Sequence, residues 1–137
     1  MPGETDLSEL LTSMRLSISP ETYVFATLPP GTTVPGDLNP VMTFREREGM
    51  TLIVTEDAAH AAGLASIFPS RMITLDVHSS LEAVGFIAVI ATVLAKAGIG
   101  VNPVAGYFHD HLFVPADRAQ EAMGVLEALG AADVPPS

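Results

Sequence analysis

Two short segments of the sequence carry side chains that could do chemistry. The first is Phe108-His-Asp-His111, in which two imidazoles flank a carboxylate. These groups can bind a divalent metal or act as general acids and bases near neutral pH. The second is His78-Ser-Ser80, which lies between an apolar strand-like run and the apolar segment 83–95. The chemistry of each segment depends on the elements that position it.

The second segment lies where a predicted strand, residues 71–77, runs into a predicted helix, residues 80–97. A helix N-terminus presents free N–H groups and the positive end of the helix dipole, and both favour a bound carboxylate. His78 and Ser80 would add hydrogen-bond donors at the same point. The pattern therefore indicates a site for a ligand that carries a carboxylate.

Two neighbouring positions have a purely structural explanation. Ser79 stands three residues before Glu82, and Ser-x-x-Glu is the spacing of a helix capping box. Gly85 would lie one turn inside the predicted helix, where glycine costs about 1 kcal/mol relative to alanine. Close packing or the approach of a ligand would explain a glycine at that position.

The first segment belongs to an internal repeat. LIVTEDAAHAA (residues 52–62) aligns with LFVPADRAQEA (residues 112–122), and each copy reads as the second strand of a hairpin that leads into a helix. The alignment predicts that His109 and Asp110 occupy a hairpin turn and that His111 enters the strand.

The composition excludes several classes of function. The chain has 137 residues, six of them Lys or Arg, and a net charge of −10. Binding to nucleic acid or to an anionic membrane needs clustered basic side chains, so we predict neither partner. The chain has no cysteine, which excludes disulfides and thiolate chemistry. We see no leader sequence and no apolar run long enough to span a bilayer, and we predict a cytoplasmic protein without a cofactor.

The remaining patterns predict short elements of mixed type. The segment 83–95 is apolar nearly all round, so one face of its helix should contact a second module or subunit, which predicts an oligomer. The Pro-rich loop 29–40 is long for a compact domain. The predicted elements are helices at 6–14, 58–64, 80–97 and 117–129, strands at 23–28 and 71–77, and hairpins at 41–55 and 101–114.

Two runs of the sequence resemble a known family. Gly85-Phe-Ile-Ala-Val-Ile90, followed by Leu94-Ala-Lys-Ala-Gly-Ile99, resembles the glycine-containing helix of ACT domains. HSSLEAVGF (78–86), together with AGYFHDHLFVP (105–115), is similar to small stand-alone bacterial proteins with two ACT-like modules. The resemblance covers most of the chain from Tyr23 to Leu129.

The resemblance implies an α+β fold of tandem ferredoxin-like (βαββαβ) modules, with antiparallel sheets and helices packed on one face. The first module would span residues 1–70, with the Pro-rich loop 29–40 in place of a crossover helix. The second module would span residues 71–137. Because the second module has no obvious final strand, we expect elements to be exchanged between modules or between subunits.

The resemblance also implies a regulatory protein that binds an amino acid, without catalytic residues of its own. The ligand would lie at the module or subunit interface near the 78–85 loop, and the protein would be a homodimer. Polar residues before the helix glycine contact the amino acid in serine-binding relatives, and His78 and Ser80 match that role. Gly100 stands where the family often has asparagine, and Asn102 follows on the same strand face. The predicted ligand-binding residues are His78, Ser79, Ser80, Leu81, Gly85, Gly100, Asn102, His109 and Asp110.

Two other interpretations remain open from the residues alone. His78, His109 and His111, together with Asp110, could bind a metal or serve a metal-dependent enzyme, although a single His-x-His near a turn is a weak signal. The chain could also be a structural dimeric module that binds nothing small. Stabilisation by a ligand would separate the regulatory protein from the structural module, and sensitivity to a chelator would reveal the metal site.

Overall fold

The computed structural model describes residues 7–77 and 85–131. The described residues fall into two compact units. The larger unit contains residues 7–19, 71–77 and 85–131, and the smaller unit contains residues 20–70. The helices are α1 (Leu7–Ser13), α2 (Glu56–Ala61), α3 (Phe86–Lys96) and α4 (Ala119–Ala131), and the strands are β1 (Arg15–Ile18), β2 (Tyr23–Leu28), β3 (Met42–Arg45), β4 (Met50–Thr55), β5 (Ser66–Asp76), β6 (Asn102–Ala105) and β7 (Asp110–Pro115).

The larger unit has its strands in the order β1-β5-β7-β6. Strand β1 pairs antiparallel with the second half of β5, from Arg15 opposite Asp76 to Ile18 opposite Ile73. With β1 in place, the elements β5, α3, β6, β7, α4 and β1 make up a complete βαββαβ module. The strand that the sequence lacks after α4 is thus supplied by residues 15–18, near the other end of the chain. Residues 1–19 were expected in the first module, whereas α1 and β1 belong to the larger unit.

The three helices of the larger unit pack on one face of its sheet. Period-two alternation places Ile73 and Leu75 of β5 on that face, and both are fully buried. In α1, Leu10 and Leu11 are buried as the amphipathic pattern predicts. In α3, Phe86, Ile90 and Leu94 are buried, and successive members of this set are one helical turn apart. The remaining buried members of this core are Met14, Val77, Ile99, Leu112, Val114, Ala119, Ala122 and Leu126.

The smaller unit has its strands in the order β3-β4-β2-β5, with the first half of β5 as the last strand. The Pro-rich loop stands where a ferredoxin-like module has its first helix, as predicted, and it contains a single 3-10 turn, Gly36–Leu38. Leu38 is 3% exposed and packs in a core with Val24, Leu28, Leu52, Val54 and Ala59. The loop therefore covers the sheet face with one buried leucine instead of a helix.

The two units reproduce the repeat that the sequence predicts. Strands β3 and β4 begin at residues 42 and 50, and β6 and β7 begin at residues 102 and 110. Met42 lies opposite Ile53 in the first hairpin, and Asn102 lies opposite Phe113 in the second. The same offset of sixty residues (102 minus 42) therefore holds for both strands of the hairpin and for their register. This agreement confirms the duplication.

None of the helices in the described ranges, 7–77 and 85–131, has the length and apolar character needed to cross a membrane.

Candidate ligand site

The predicted ligand-binding residues divide into three groups by position. His78, Ser79, Ser80 and Leu81 lie outside the described residues, as does Glu82 of the predicted capping box. Gly85, His109 and Asp110 lie in the larger unit close to the elements that flank this segment. Gly100 and Asn102 lie at the start of β6.

Gly85 is the N-cap of α3 rather than a residue one turn inside it. Helix α3 begins at Phe86, so the predicted helix start at Ser80 is wrong for the described helix. Gly85 has φ 87° and ψ −9°, a left-handed conformation that glycine adopts without the penalty paid by other residues. Among residues 7–77 and 85–131, a Cβ on Gly85 would meet only Leu7 Cδ2, at 4.0 Å. Backbone conformation therefore explains this glycine.

His109 lies in the hairpin turn, as predicted, and its side chain contacts the end of β5. The Nε2 atom of His109 is 3.0 Å from Oδ1 of Asp76. Two residues away on each segment, Nδ1 of His111 is 2.9 Å from Oγ1 of Thr74. The two contacts run in opposite directions along β5 and β7, as antiparallel pairing requires. They bring the His-Asp-His segment to the point where the chain enters residues 78–84.

These polar side chains share the sheet face opposite the helices. Thr74 and Asp76 alternate with the buried residues of β5, so they point away from the core. Arg15 lies directly opposite Asp76 on β1, which places a guanidinium-bearing residue on the same face. The side chain of Asp76 is 63% exposed and that of His109 is 38% exposed. The arrangement offers both an acidic and a basic side chain to a ligand from solvent.

The turn of this hairpin closes tightly on itself. The Gly106 N–H donates to the carbonyl of His109 at 2.8 Å. A Cβ on Gly106 would lie 2.9 Å from that carbonyl oxygen and 3.4 Å from Nε2 of His111. The absence of a side chain at Gly106 therefore allows the turn and the His111 ring to approach each other.

The environment of His111 favours its neutral form. Burial lowers the pKa of His111, and the charge of nearby His109 lowers it further, while the carboxylate of Asp110 opposes both effects. Asp110 itself is buried, at 8% exposed. It is the first residue of β7, so the prediction that it lies in the turn is wrong by one position.

Gly100 and Asn102 are not brought to the same place as His109. Asn102 lies opposite Phe113, four residues along β7 from His109. Four residues of strand correspond to roughly 13 Å. Within one chain, then, Asn102 and Gly100 lie toward the opposite end of the larger unit's sheet.

Sequence reasoning missed the roles of Arg15 and Thr74 in this arrangement. Arg15 belongs to a four-residue strand that the sequence pattern did not reveal. Thr74 was predicted to lie in a strand, and alternation along residues 71–77 does place it with Asp76 on one face. The contact of Thr74 with His111 across the sheet could not be predicted, because local sequence does not specify the pairing of β5 with β7.

Two exposed aromatic side chains complete the tip of the hairpin. Tyr107 is 84% exposed and Phe108 is 69% exposed, and their ring centroids are 4.9 Å apart in an edge-to-face arrangement. They lie beside His109 in the turn. Aromatic side chains at this exposure could form one wall of a ligand site.

The described residues contain no group of three or more His, Asp or Glu side chains arranged to hold a metal ion. The ring centroids of His109 and His111 are 6.4 Å apart, and the nearest partners of the two rings are Asp76 and Thr74 respectively. His78, the third histidine of the metal interpretation, lies outside the described residues.

The fold and the placement of this site define the chain as a tandem ferredoxin-like protein. Residues 2–71 match a family model for the ACT domain, and residues 67–128 match a second ACT-domain model. The chain therefore belongs to the ACT domain family. Membership supports a regulatory role for the chain.

Several solved structures are similar to the chain. A protein of unknown function from Vibrio cholerae, described as a possible transport protein, is 43% identical with a TM-score of 0.80, over 90% of this chain and 95% of that chain. A protein from Agrobacterium tumefaciens is 18% identical with a TM-score of 0.73, over 85% of this chain and 89% of that chain.

The ligand-free regulatory subunit of aspartate kinase from Thermus thermophilus is 10% identical with a TM-score of 0.60, over 83% of this chain and 95% of that chain. At such low identity, this likeness and the one to the Agrobacterium protein show the fold alone. No functionally curated protein matches the chain in sequence.

Proposed function

We propose that the protein is a cytoplasmic homodimeric regulator that binds an amino acid beside the 78–85 segment. The observation that carries the proposal is the contact between His109 and Asp76, at 3.0 Å, in a chain that matches ACT-domain models along both modules. The contact holds the second hairpin beside the segment in which His78 and Ser80 were predicted to bind the ligand.

An amino acid suits the groups that flank this segment. Its carboxylate would be accepted at the start of α3, where Gly85 contributes no capping side chain that could compete for the first N–H groups. Its ammonium would be accepted by the exposed carboxylate of Asp76.

The output of such a sensor is a change in the population of conformations that another protein recognises. A ligand can shift that population only if it binds one conformation better than the other. Residues 78–84 connect β5 to α3, so a ligand bound beside this connection would couple the sheet to the helix layer.

The test is a thermal-shift screen of chelator-treated protein against the common amino acids. A ligand present at 100 times its dissociation constant adds about 2.7 kcal/mol to the free energy of unfolding, which corresponds to a rise in Tm of roughly 5 to 20 °C, since each kcal/mol shifts Tm by about 2 to 8 °C for domains of this size range. We expect one or two amino acids to raise the midpoint. A panel without any shift would overturn the amino-acid proposal, and a shift produced only by added metal would favour the metal interpretation.

Variants at the proposed site give the screen its specificity. His78→Ala and Ser80→Ala should each abolish the shift caused by the active amino acid. His60→Ala is the matched control, because His60 is an exposed histidine on α2 in the smaller unit. An unchanged shift in the His78 and Ser80 variants would place the ligand elsewhere.

A further inference from the structure

The large exposed apolar side chains of the protein lie away from α3, the helix that the sequence predicted to meet a second module or subunit. In the structure, the large apolar residues of α3 pack against the core of their own unit, Phe86, Ile90 and Leu94 fully and Ile87, Val89 and Val93 in part. Among residues 7–77 and 85–131, the large apolar side chains that are exposed are Val41, Phe44, Ile67, Tyr107 and Phe108. A contact with another molecule is therefore to be sought at these five side chains.

A cavity opens on the sheet face of the smaller unit that lies opposite its core. Its volume is about 350 Å³, and its lining includes Phe25, Thr27, Thr51 and Ile67. Phe25 lies opposite Ile67 and Thr27 lies opposite Thr51, and residues opposite each other on neighbouring strands share a face. Val24, which precedes Phe25, packs in the core, so these four side chains lie on the other face. Ile67 is 72% exposed, which places it at the rim of the cavity.

A β-bulge shapes one wall of this cavity, which we name the bulge cavity. The register of β2 with β5 shifts between Tyr23 and Phe25, so that one residue of β2 faces two residues of β5, Phe68 and Pro69. Phe68 has φ 59°, a left-handed conformation that favours glycine, the residue found there in one common class of bulge. The Phe68 ring packs edge-to-face against Phe25, with 5.8 Å between the ring centroids. A strained backbone therefore holds a ring against the cavity wall, and strain of this kind is concentrated at functional sites.

The second hairpin ends in two aromatic side chains that the turn itself does not require. These residues, Tyr107 and Phe108, form the aromatic tip, and they are 84% and 69% exposed. In the first hairpin the repeat places Arg47 and Glu48 at the same positions, where they form an exposed ion pair at 3.7 Å. Both turns close with the same backbone hydrogen bond, of 2.8 Å in the second hairpin and 2.9 Å in the first. A turn that is already closed presents its rings to a partner with little loss of chain entropy.

The aromatic tip and the bulge cavity are chemically complementary. The described residues that line the cavity are uncharged, and a third ring placed there would extend the edge-to-face pair of Phe25 and Phe68. The hydroxyl groups of Thr27 and Thr51 can hydrogen-bond to the phenol of Tyr107. Because each copy of the chain carries a net charge of −10, a contact between copies is least opposed at uncharged surfaces such as these.

The area of the contact favours a second copy as the occupant of the cavity. A buried aromatic side chain removes about 150–250 Å² from water, so one tip, with an equal area from the cavity, buries about 600–1,000 Å². This is less than the roughly 1,200 Å² at which stable, specific interfaces begin. A second copy supplies another tip and another cavity, and a two-fold axis makes the two contacts equivalent. The doubled area, about 1,200–2,000 Å², lies within the range of standard interfaces.

We propose that the aromatic tip of each copy docks into the bulge cavity of a second copy, so that two reciprocal contacts form the homodimer. The proposal rests on the homodimer part of the proposed function and does not depend on the ligand. Because the contact is uncharged while each chain carries a net charge of −10, salt should strengthen the dimer by screening the repulsion between copies. A dimer that salt weakens would depend on ion pairs and would contradict the proposal.

The first test follows molar mass by sedimentation over a range of concentrations. The wild type should move from the 14.3 kDa of one chain toward twice that mass as concentration rises. The double variant Tyr107→Ser/Phe108→Ser removes the aromatic tip and should remain a monomer. The control, Arg47→Ser/Glu48→Ser, makes the corresponding change in the first hairpin and should dimerise like the wild type.

Ile67→Lys tests the cavity side of the contact. The Ile67 side chain is 72% exposed, so its replacement leaves the core intact, and the added positive charge reduces the repulsion between copies. The variant should nevertheless weaken the dimer by about tenfold or more. Val41→Lys is the control, because Val41 is also an exposed apolar residue but does not belong to the described lining of the cavity. A dimer unaffected by the tip variant or by Ile67→Lys would overturn the proposed contact while leaving a homodimer in place.

Introduced cysteines test which surfaces meet, because the chain has no cysteine of its own. A mixture of the Phe108→Cys protein with the Ser66→Cys protein, which is changed in the cavity lining, should form a mixed disulfide-linked dimer under mild oxidation. In the control mixture Glu48→Cys, at the aligned position of the first hairpin, takes the place of Phe108→Cys, and the mixed dimer should not form. Equal cross-linking in both mixtures would contradict the proposal.

A wild type that stays monomeric at every concentration would overturn both the tip contact and the homodimer. Phenol then serves as the probe for a different occupant. A rise in the thermal midpoint with phenol that Ile67→Lys removes would assign the cavity to a free aromatic molecule instead of a second copy. The amino-acid screen remains a separate measurement, because it reports on the site beside residues 78–85.

Discussion

The imidazole of His109 and the carboxylate of Asp76 join two parts of the larger unit, with 3.0 Å between Nε2 and Oδ1. His109 is in the turn of the second hairpin, and Asp76 is the last residue of β5. Both side chains are partly exposed to water, so the contact contributes little to the free energy of folding. Its effect is to position the hairpin beside the segment that leads to α3.

Removing the charge of Asp76 should therefore change stability only slightly. We expect Asp76→Asn to lower the free energy of unfolding in urea by no more than about 1 kcal/mol, as for other exposed ion pairs. The same variant should reduce the thermal shift caused by the active amino acid, since the proposed site loses its carboxylate. Asp57→Asn, an exposed acidic residue on α2, is the control. A loss of several kcal/mol would show that the contact supports the fold itself.

The half-buried imidazole of His111 should make stability depend on pH. Its pKa is lowered from the ordinary value of 6.5, chiefly by burial and then by the charge of His109, against the opposing effect of Asp110. The unfolded chain therefore takes up a proton at higher pH than the folded chain does. Stability should fall as pH drops below about 6.5, and the fall should be complete once the pH is below the folded-state pKa.

His111→Gln isolates this contribution because it removes the titrating group and keeps a polar side chain. We expect the variant to lose less stability than the wild type when urea unfolding is compared at pH 7.5 and at pH values below about 6. His60→Gln makes the same chemical change at an exposed position on α2 and should follow the wild type. If the His111 and His60 variants show the same pH dependence, the neutral imidazole of His111 is not the cause.

Glycines at positions 106 and 124 should respond in opposite directions to replacement by alanine. A Cβ at Gly106 would lie 2.9 Å from the carbonyl oxygen of His109, so we expect Gly106→Ala to cost about 1–3 kcal/mol. Gly124 lies inside α4, and apart from its chain neighbours and the adjacent backbone of α4, no atom of the described residues lies within 4 Å of a Cβ built there. We expect Gly124→Ala to stabilise the protein by about 0.5–1 kcal/mol, through helix propensity alone. Chemical unfolding of both variants measures the difference, and a neutral Gly106→Ala would mean that the turn can open without cost.

Local patterns in the sequence were sufficient for the hairpins and for the helix α4. The repeat fixed the offset between the hairpins. Alternation places Leu52 and Val54 of β4, and Leu112 and Val114 of β7, on the core face, although Ile53 and Phe113 between them are buried on the other face. Hydrophobic periodicity of this kind is a local property, so it can be read without knowing the tertiary structure.

The sequence did not reveal contacts that depend on distant pairing. Strand β1 has only four residues and follows α1 almost directly, so it carries no distinct pattern of its own. Strand β5 begins at Ser66, five residues before the predicted start, and runs through Pro69. The contact of His109 with Asp76 depends on how β5 and β7 pair, which no residue near either one specifies.

The start of α3 was misplaced because two signals competed. Ser79 and Glu82 have the spacing of a capping box, and that motif placed the helix start near residue 80. Gly85 was then interpreted as a weak residue within the helix. Its φ of 87° shows that it is a boundary residue, a role that glycine also fills at Gly98, with φ 76°, just after α3.

The pairing of β1 with β5 has a consequence for the order of folding during synthesis. The smaller unit is one continuous stretch of chain, residues 20–70. All of its elements are therefore available once residue 70 has left the ribosome. The larger unit must wait, because β1 is made early and its partner residues 73–76 follow about sixty residues later, with α4 later still. Closing that long loop lowers the chain entropy before the long-range contacts stabilise the larger unit. The smaller unit should therefore be the first to form, and changes at either end of the chain should act on the same late-folding unit.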